Sequence, residues 1–381
     1  MGKRKFMVLI MVLTIMVSVG FTNCRAAGSD PLIACVGPFT GDGAQYGSFF
    51  KKGAEVALDI INKEGGINKK PLKIQYEDDK LSPQESTFVA SKLCKDSKIL
   101  AVVGHLMSTQ NLAAVPIYKK CQLVTINFTA TDPKLSGASP FWFRNVITTE
   151  YMDGVLAKYA IDQWKPKSVA IMYLLSDATM ANAEHFKKLM EEKGVKVVAF
   201  ESHQPNEKEF VGTLTKIQPL SPDFIFIASL YTEASMIIKQ AKEMGIKTQF
   251  LGMEALYNPR LPELAGPGSE GTVAVGYFHP AMGYPKTKDF VDRFTKKYNE
   301  DPESLAIGAA DGVLLAAAAL RKDGESRGAV KKYLETLSEK EPFMGIAGPI
   351  SFSKSHDLLP KPMAILKVEQ GKWKFVGVGK P

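Results

Sequence analysis

The chain has 381 residues, of which 45% are hydrophobic and 23% charged, enough for about two globular domains of roughly 150 residues each. This composition excludes a disordered or low-complexity protein. The formal net charge is +8, and four of these charges come from Lys3, Arg4, Lys5 and Arg25, so the rest of the chain is near +4. Such a mild charge, without long basic runs, indicates that nucleic acid is not a partner.

The N-terminus has the features of a secretory signal peptide. A basic segment at 3–5 precedes an apolar run at 6–21, which is too short to span a membrane comfortably. Small residues near Ala26 predict a signal peptide over residues 1–26 with cleavage after Ala26. Two alternatives stay open: an uncleaved membrane anchor, and a lipoprotein acylated at Cys24. No second apolar run approaches about 20 residues, so the mature chain is expected to be soluble.

Cleavage after Ala26 leaves three cysteines, Cys35, Cys94 and Cys121. Cys35 lies inside the first predicted strand and is expected to be a buried, small hydrophobic residue. Cys94 and Cys121 each end a helix that precedes a strand, so a disulfide between them is one hypothesis and two free thiols the other. The spacings fit no zinc site.

Apolar runs in the first part of the chain predict an α/β unit. Strands are predicted at 32–36, 72–77, 99–103 and 123–126, with helices around 49–61, from Pro83 to about Cys94, and over 109–120. Ser82, Pro83 and Glu85 form a capping-box pattern at the start of the second helix. The acidic triplet at 77–79 is interpreted as a solvated strand end rather than a metal site.

Hydroxyl groups follow two of these strands. Ser108 comes after the strand at 99–103 and opens a helix, while Thr129 and Thr131 follow the strand at 123–126. Because a helix joins the two strands, they are parallel and both loops leave the same sheet edge, where α/β proteins bind ligands. The N–H groups of a helix start favour an anion, so we expect a carboxylate or phosphate site here. Ordinary N-cap and turn roles are the alternative.

The pattern restarts after residue 144 and predicts a second α/β domain. Helices are predicted at 151–164, 182–193, 207–217 and 233–244, with strands at 168–174, 195–200, 224–228, 249–251 and 271–278. Three helices follow, at 287–298, 303–321 and 328–337, and then short strands at 350–352, 364–368 and 373–376. The three helices need a sheet to cover, and the first domain offers one. The chain is therefore predicted to cross between domains near 146, 276 and 350, which makes a hinge.

Enzyme and cofactor motifs are absent from the sequence. The five histidines form no metal pair, and no nucleophile elbow, P-loop or dinucleotide fingerprint occurs. We therefore expect neither catalysis nor a cofactor or metal. Glu254 follows a short strand of the second domain, so a carboxylate is predicted to face the hydroxyl-rich edge across a cleft, an arrangement suited to a zwitterion. A solvent-exposed loop glutamate is the alternative.

Several short motifs follow one another along nearly all of the mature chain, at 37–41, 44–47, 53–55, 62–68, 104–106 with Ser108, 129–135, 240–245, 250–254 and 348–352. In order and spacing they resemble the substrate-binding proteins of bacterial ABC transporters of the leucine/isoleucine/valine class. The resemblance implies the class I periplasmic-binding-protein fold: two doubly wound parallel-sheet lobes joined by a three-crossover hinge. With the predicted crossings, this gives lobe 1 as 27–146 with 277–350, and lobe 2 as 147–276 with 351–381.

The resemblance also implies a function. The lobes would close on a small molecule in the periplasm and present it to a membrane permease. Ser108, Thr129 and Thr131 would hold an α-carboxylate and help to hold the ammonium, Glu254 would take the ammonium from the other lobe, and Tyr46 would line the pocket.

The sequence departs from the family pattern in the pocket wall. A tyrosine-glycine pair typical of the amino-acid binders is replaced by the stretch around Ala178, and another pocket tyrosine by Leu230. Leu81 and Met107 stand where some relatives have a cysteine pair. The pocket is therefore predicted to be roomier or more apolar, and a branched-chain amino acid, another hydrophobic amino acid, an aromatic acid and an amide stay open as ligands. A sensor feeding a receptor is the alternative to transport.

Overall fold

A computed structural model of the protein describes residues 29–381, so the signal-peptide prediction lies outside the described residues. The strands are β1 Leu32–Gly37, β2 Lys73–Asp78, β3 Ile99–Gly104, β4 Thr125–Asn127, β5 Trp142–Arg144, β6 Ser168–Leu174, β7 Lys196–His203, β8 Phe224–Ala228, β9 Gln249–Gly252, β10 Val273–Gly276, β11 Phe343–Gly345, β12 Gly348–Ile350, β13 Met363–Glu369 and β14 Lys372–Gly379. The helices are α1 Ala44–Lys63, α2 Pro83–Lys95, α3 Ser108–Lys120, α4 Thr149–Trp164, α5 Asp177–Glu192, α6 Val211–Ile217, α7 Tyr231–Glu243, α8 Arg260–Ala265, α9 Thr287–Tyr298, α10 Ser304–Asp323 and α11 Arg327–Thr336.

Two separate sheets form the centres of two lobes. The first has five parallel strands in the order β2-β1-β3-β4-β5, and the second has seven in the order β14-β13-β10-β9-β8-β6-β7. In the second sheet β6 to β10 are parallel, whereas β13 and β14 add an antiparallel edge. The predicted two-lobed, doubly wound α/β fold is confirmed.

Helix α10 packs on the first sheet. This agrees with the prediction that the helices after residue 286 cover the sheet of the first domain. A side chain at Gly53 of α1 would place its Cβ 1.9 Å from the Ala306 carbonyl oxygen, so glycine is what lets α1 and α10 approach each other. A Cβ on Gly312 would lie 2.8 Å from Val103 of β3, which places α10 directly on the sheet. Among residues 29–381, α10 is the one helix long and apolar enough to cross a membrane, but 67% of its apolar window is buried, as in a core helix.

The chain passes between the lobes three times, in the segments 145–148, 277–286 and 351–362. These segments lie near the predicted boundaries at 146, 276 and 350, and the boundaries themselves stay a prediction. Arg144 ties two of the segments together: its Nε donates to Asp357 Oδ1 at 2.7 Å, and its N–H to the His356 carbonyl at 2.9 Å. The same guanidinium donates to the carbonyl of Asp132 at 3.0 Å, so it also holds the loop after β4.

Cys94 and Cys121 form a disulfide, and Cys35 is buried and free. The bridge joins the ends of α2 and α3, which pack side by side on the first sheet. Of the two hypotheses for this pair, the structure supports the bridge.

Thiol counting tests this bridge. Mature protein, denatured without reductant, is expected to show one reactive thiol, from Cys35, and three after reduction, because only the bridged pair is protected. A titration with Ellman's reagent measures both values. Three thiols before reduction would contradict the bridge, and a Cys35→Ser variant identifies the free one.

Several elements differ from the sequence prediction. Strands β5 and β11 and helix α8 were not predicted, because three-residue strands show no alternation and α8 is short and contains Pro262. Helix α5 begins at Asp177, five residues before the predicted start at 182, since Ser176 caps it by accepting the Thr179 N–H at 3.4 Å.

Candidate functional site

A cavity of about 180 Å³ lies between the carboxyl ends of the two sheets. All seven residues predicted for the site line it: Tyr46, Ser108, Thr129 and Thr131 from the first lobe, and Ala178, Leu230 and Glu254 from the second. The structure thus brings together residues that are more than 200 positions apart in the chain. Their roles toward a ligand stay a prediction.

The first-lobe wall consists of the loops after β3 and β4, with Ser108 at the first position of α3. The first N–H groups of a helix lack intrahelical partners, so this start can receive an anion. Ser108 Oγ accepts the N–H of Asp132 at 3.3 Å, which joins the two loops and leaves the hydroxyl proton free to donate.

Thr129 is more constrained than the sequence predicted. Its hydroxyl donates to the Leu106 carbonyl, and its N–H donates to Asn127 Oδ1 at 3.0 Å. Both groups therefore hold the loops in shape, and the Thr129 carbonyl is the backbone group left to accept a ligand N–H.

Asn127 joins the loops after β3 and β4 through buried hydrogen bonds. Its buried Nδ2 donates to the His105 carbonyl at 2.7 Å, and its Oδ1 accepts from the N–H of Ala130 at 2.7 Å as well as from Thr129. This role of Asn127 was not predicted from the sequence. A polar residue ending a buried strand was the signal that could have found it, since such a side chain needs partners.

His105 is anchored by a buried carboxylate. Its Nδ1 lies 2.7 Å from Asp79 Oδ2 and its Nε2 3.1 Å from the Tyr118 hydroxyl, and both His105 and Asp79 have no exposed surface. The interpretation of residues 77–79 as a solvated strand end is therefore wrong for Asp79. Its side chain fixes the loop that carries Ser108.

The second-lobe wall carries Glu254, in the turn directly after β9. Burial raises the pKa of Glu254 from 4.5 to about 7, while the nearby Tyr277 hydroxyl and the Ala255 N–H oppose that rise. Because the pKa is higher in the folded than in the unfolded chain, this group's contribution to stability is full below about pH 4.5 and is lost as the pH rises through about 7. A cation placed against the carboxylate would reverse that loss.

The rest of the wall is mostly apolar. Leu81 and Met107 line it from the first lobe and Leu174 and Met253 from the second, beside Ala178 and Leu230. Among the described residues that line the cavity there is no lysine, arginine or histidine.

Several residues that line the cavity were not predicted from the sequence: Tyr231, Tyr257, Asn258, Glu303, Ser304 and Leu305. The last three lie at the start of α10, where the signal was a glutamate at the first position of the predicted apolar helix 303–321.

Two lobes with a ligand-sized cavity between their sheet edges define a binding protein that closes by a hinge. The family described as "Periplasmic binding protein" matches residues 32–372, and the chain belongs to this family. As a member of it, the protein is periplasmic.

Similar proteins agree with this assignment. The leucine-, isoleucine-, valine-, threonine-, and alanine-binding protein of Pseudomonas aeruginosa is 30% identical, with 89% of this chain and 90% of the relative covered. The structure of the branched-chain amino acid transporter substrate binding protein LivJ of Streptococcus pneumoniae, in complex with isoleucine, has a TM-score of 0.84 at 27% identity and covers 93% of this chain and 100% of that one. These relatives are named as binding proteins, not as enzymes.

A more distant structure shares the fold. A solute binding protein of an ABC transporter from R. palustris, in complex with benzoate, has a TM-score of 0.82 at 20% identity and covers 93% of this chain and 97% of that one.

Proposed function

We propose that the protein captures a small amino acid in the cavity between its lobes and presents it to the permease of an ABC transporter. The observation that carries the proposal is the placement of Glu254 across the cavity from Ser108 and the start of α3. A carboxylate on one wall and free N–H and hydroxyl donors on the other complement the ammonium and carboxylate of a zwitterion.

The residues take the following roles. The ligand's α-carboxylate lies at the start of α3 and receives the Ser108 hydroxyl, with Thr131 beside it. The ammonium pairs with Glu254 and donates to the Thr129 carbonyl, and Tyr46 covers the ligand from α1. Burying both charges is tolerable because each meets charged or hydrogen-bonding partners.

The comparisons support an amino acid as the ligand class. The Pseudomonas aeruginosa relative is named for binding five amino acids, and the Streptococcus pneumoniae neighbour holds isoleucine. The sequence-derived lobes, 27–146 with 277–350 and 147–276 with 351–381, are the bodies proposed to close.

A thermal-shift screen against the standard amino acids tests the function, since a ligand that binds only the folded chain raises the melting temperature. We expect at least one amino acid to raise it, with micromolar or tighter binding by calorimetry. The screen includes benzoate and simple amides as competing classes. Stabilisation by benzoate alone would overturn the amino-acid assignment.

An aromatic acid is the second candidate, because the wall around Met107, Ala178 and Leu230 is apolar and the R. palustris neighbour holds benzoate. It is the weaker candidate, since a benzoate brings no cation to Glu254.

Amino-acid binding is expected to weaken at low pH, because the ligand's ammonium pairs with ionised Glu254. With the pKa of Glu254 at about 7 in the empty cavity, the carboxyl must lose its proton on binding below that pH. The dissociation constant at pH 5.5 should be about 20-fold higher than at pH 7.5. Calorimetry at several pH values measures this ratio. Measured with leucine, whose side chain carries no charge, the Glu254→Gln variant should show a flat profile, and a flat profile for the unaltered protein would contradict the pairing.

A further inference from the structure

The cavity holds a second carboxylate, from Glu303, which the zwitterion described above does not use. Glu303 precedes the first residue of α10 and lines the cavity. Its Oε2 accepts from Asn258 Nδ2 at 3.3 Å, whereas its Oε1 is buried without a hydrogen-bond partner among the described residues. The adjacent Ser304 Oγ is also buried and unpartnered there.

Both unpartnered atoms belong to residues that line the cavity, and these residues are neighbours in the chain. A buried polar atom without a partner destabilises the fold, and a carboxylate oxygen does so more than a hydroxyl. Burial raises the pKa of Glu303 to about 8, and Glu254 adds to the rise. No basic side chain among the described lining residues offsets the two carboxyl groups. Glu303 Oε1 therefore lacks a hydrogen-bond donor, and a ligand in the cavity can supply one.

Glu303 also connects the lobes. It opens α10, which packs on the first sheet, while Asn258 lies in the segment after β9 of the second sheet. Asn258 is held in turn by Trp373, whose Nε1 donates to its carbonyl at 2.8 Å. The Glu303–Asn258 hydrogen bond thus spans the cleft, and a ligand group on Oε1 would join this contact only when the lobes are closed.

We infer that Glu303, Ser304 and Asn258 form a second polar subsite, which binds an N–H donor group at the side-chain end of the ligand. The inference rests on the proposed function, in which Glu254 takes the α-ammonium. It narrows the ligand class to amino acids whose side chain ends in a cationic or amide N–H group. Apolar residues that line the same cavity, such as Leu305 and Met107, would contact the aliphatic part of such a side chain.

Calorimetry with leucine, glutamine, lysine and arginine tests the subsite. The unaltered protein should bind at least one of the three N–H-bearing ligands more than tenfold tighter than leucine. Comparing the affinity for glutamine with those for lysine and arginine shows whether the subsite prefers an amide or a cation. Glu303→Gln keeps the size of the side chain and an acceptor for Asn258, and it should erase a preference for a cation while changing leucine affinity less than threefold.

Matched variants control for folding. Glu369→Gln removes a surface carboxylate that pairs with Lys367 at 3.4 Å and does not line the cavity, so it should leave all four affinities unchanged. Ser304→Ala should weaken the preferred ligand by a smaller factor than Glu303→Gln. The melting temperature of each variant confirms that it folds.

Two results would overturn the subsite. In the first, leucine binds as tightly as the N–H-bearing ligands. In the second, Glu303→Gln loses affinity equally for all four ligands, which would mean that both carboxylates bind the α-ammonium. In either case the amino-acid function stands. Binding of none of the amino acids would instead overturn the proposed function together with the subsite.

Discussion

Replacing Glu254 by glutamine is expected to weaken the binding of an amino acid about 100-fold, since truncating one member of a buried charge pair costs about 2–5 kcal/mol. The reason is that the ligand's ammonium would be buried against a neutral amide. Isothermal titration calorimetry at pH 7.5 measures the change. The same variant should be slightly more stable than the unaltered protein when empty at pH 8, because it lacks the ionised, buried carboxylate.

Ser108→Ala is the matched control on the opposite wall. It removes one hydroxyl but leaves the N–H groups at the start of α3, so the loss should be smaller, about tenfold at most. An unchanged dissociation constant in Glu254→Gln would contradict the assignment of an amino acid as the ligand. A loss in Ser108→Ala larger than in Glu254→Gln would place the main charge contact on the first lobe instead.

Replacing Arg144 by methionine is expected to destabilise the protein by about 3–5 kcal/mol, the usual effect of leaving a buried charge without its partner. Arg144 has no exposed surface, and its guanidinium lies 2.6 Å from the Asp357 carboxylate, which is 13% exposed. The variant also strands the Ala130 and Asp132 carbonyls that the guanidinium now serves. Urea unfolding followed by circular dichroism measures the change.

Arg144→Met should also weaken ligand binding, because the two carbonyls flank Thr131 in the cavity wall. Lys367→Met serves as the control: its ammonium contacts Glu369 at 3.4 Å on the surface and should contribute below about 1 kcal/mol. A loss of stability in Arg144→Met no larger than in this control would show that the crossing segments do not depend on the guanidinium.

Long periodic elements were readable from the sequence because local patterns specify them. The predicted bounds of β6, β8 and α9 agree with Ser168–Leu174, Phe224–Ala228 and Thr287–Tyr298. Ser82 caps α2 by accepting the Glu85 N–H at 3.4 Å, as predicted, whereas its own N–H donates to the Asp79 carbonyl at 2.8 Å and not to the Glu85 side chain of a full capping box. Apolar spacing and caps act within a few residues, so no tertiary information is needed to read them.

The candidate site was readable in part for a topological reason. Residues that follow parallel strands collect at one sheet edge, so Ser108, Thr129 and Thr131 could be grouped before the fold was known. Glu254 was placed opposite them by the same rule applied to the second sheet. The two walls proposed to bind the carboxylate and the ammonium of the ligand thus follow from the order of the strands.

By itself, the sequence determined the α/β class, the two lobes and the walls that carry these polar groups, because periodicity and chain order encode them. Only the tertiary structure decided that Asp79 is buried against His105, that Asn127 joins the binding loops, and that Glu303 enters the cavity. Each of these depends on contacts between segments far apart in the chain, some 45 residues apart for Glu303 and Asn258. Burial and hydrogen-bond pairing over such separations are set by packing, which no local pattern of residues records.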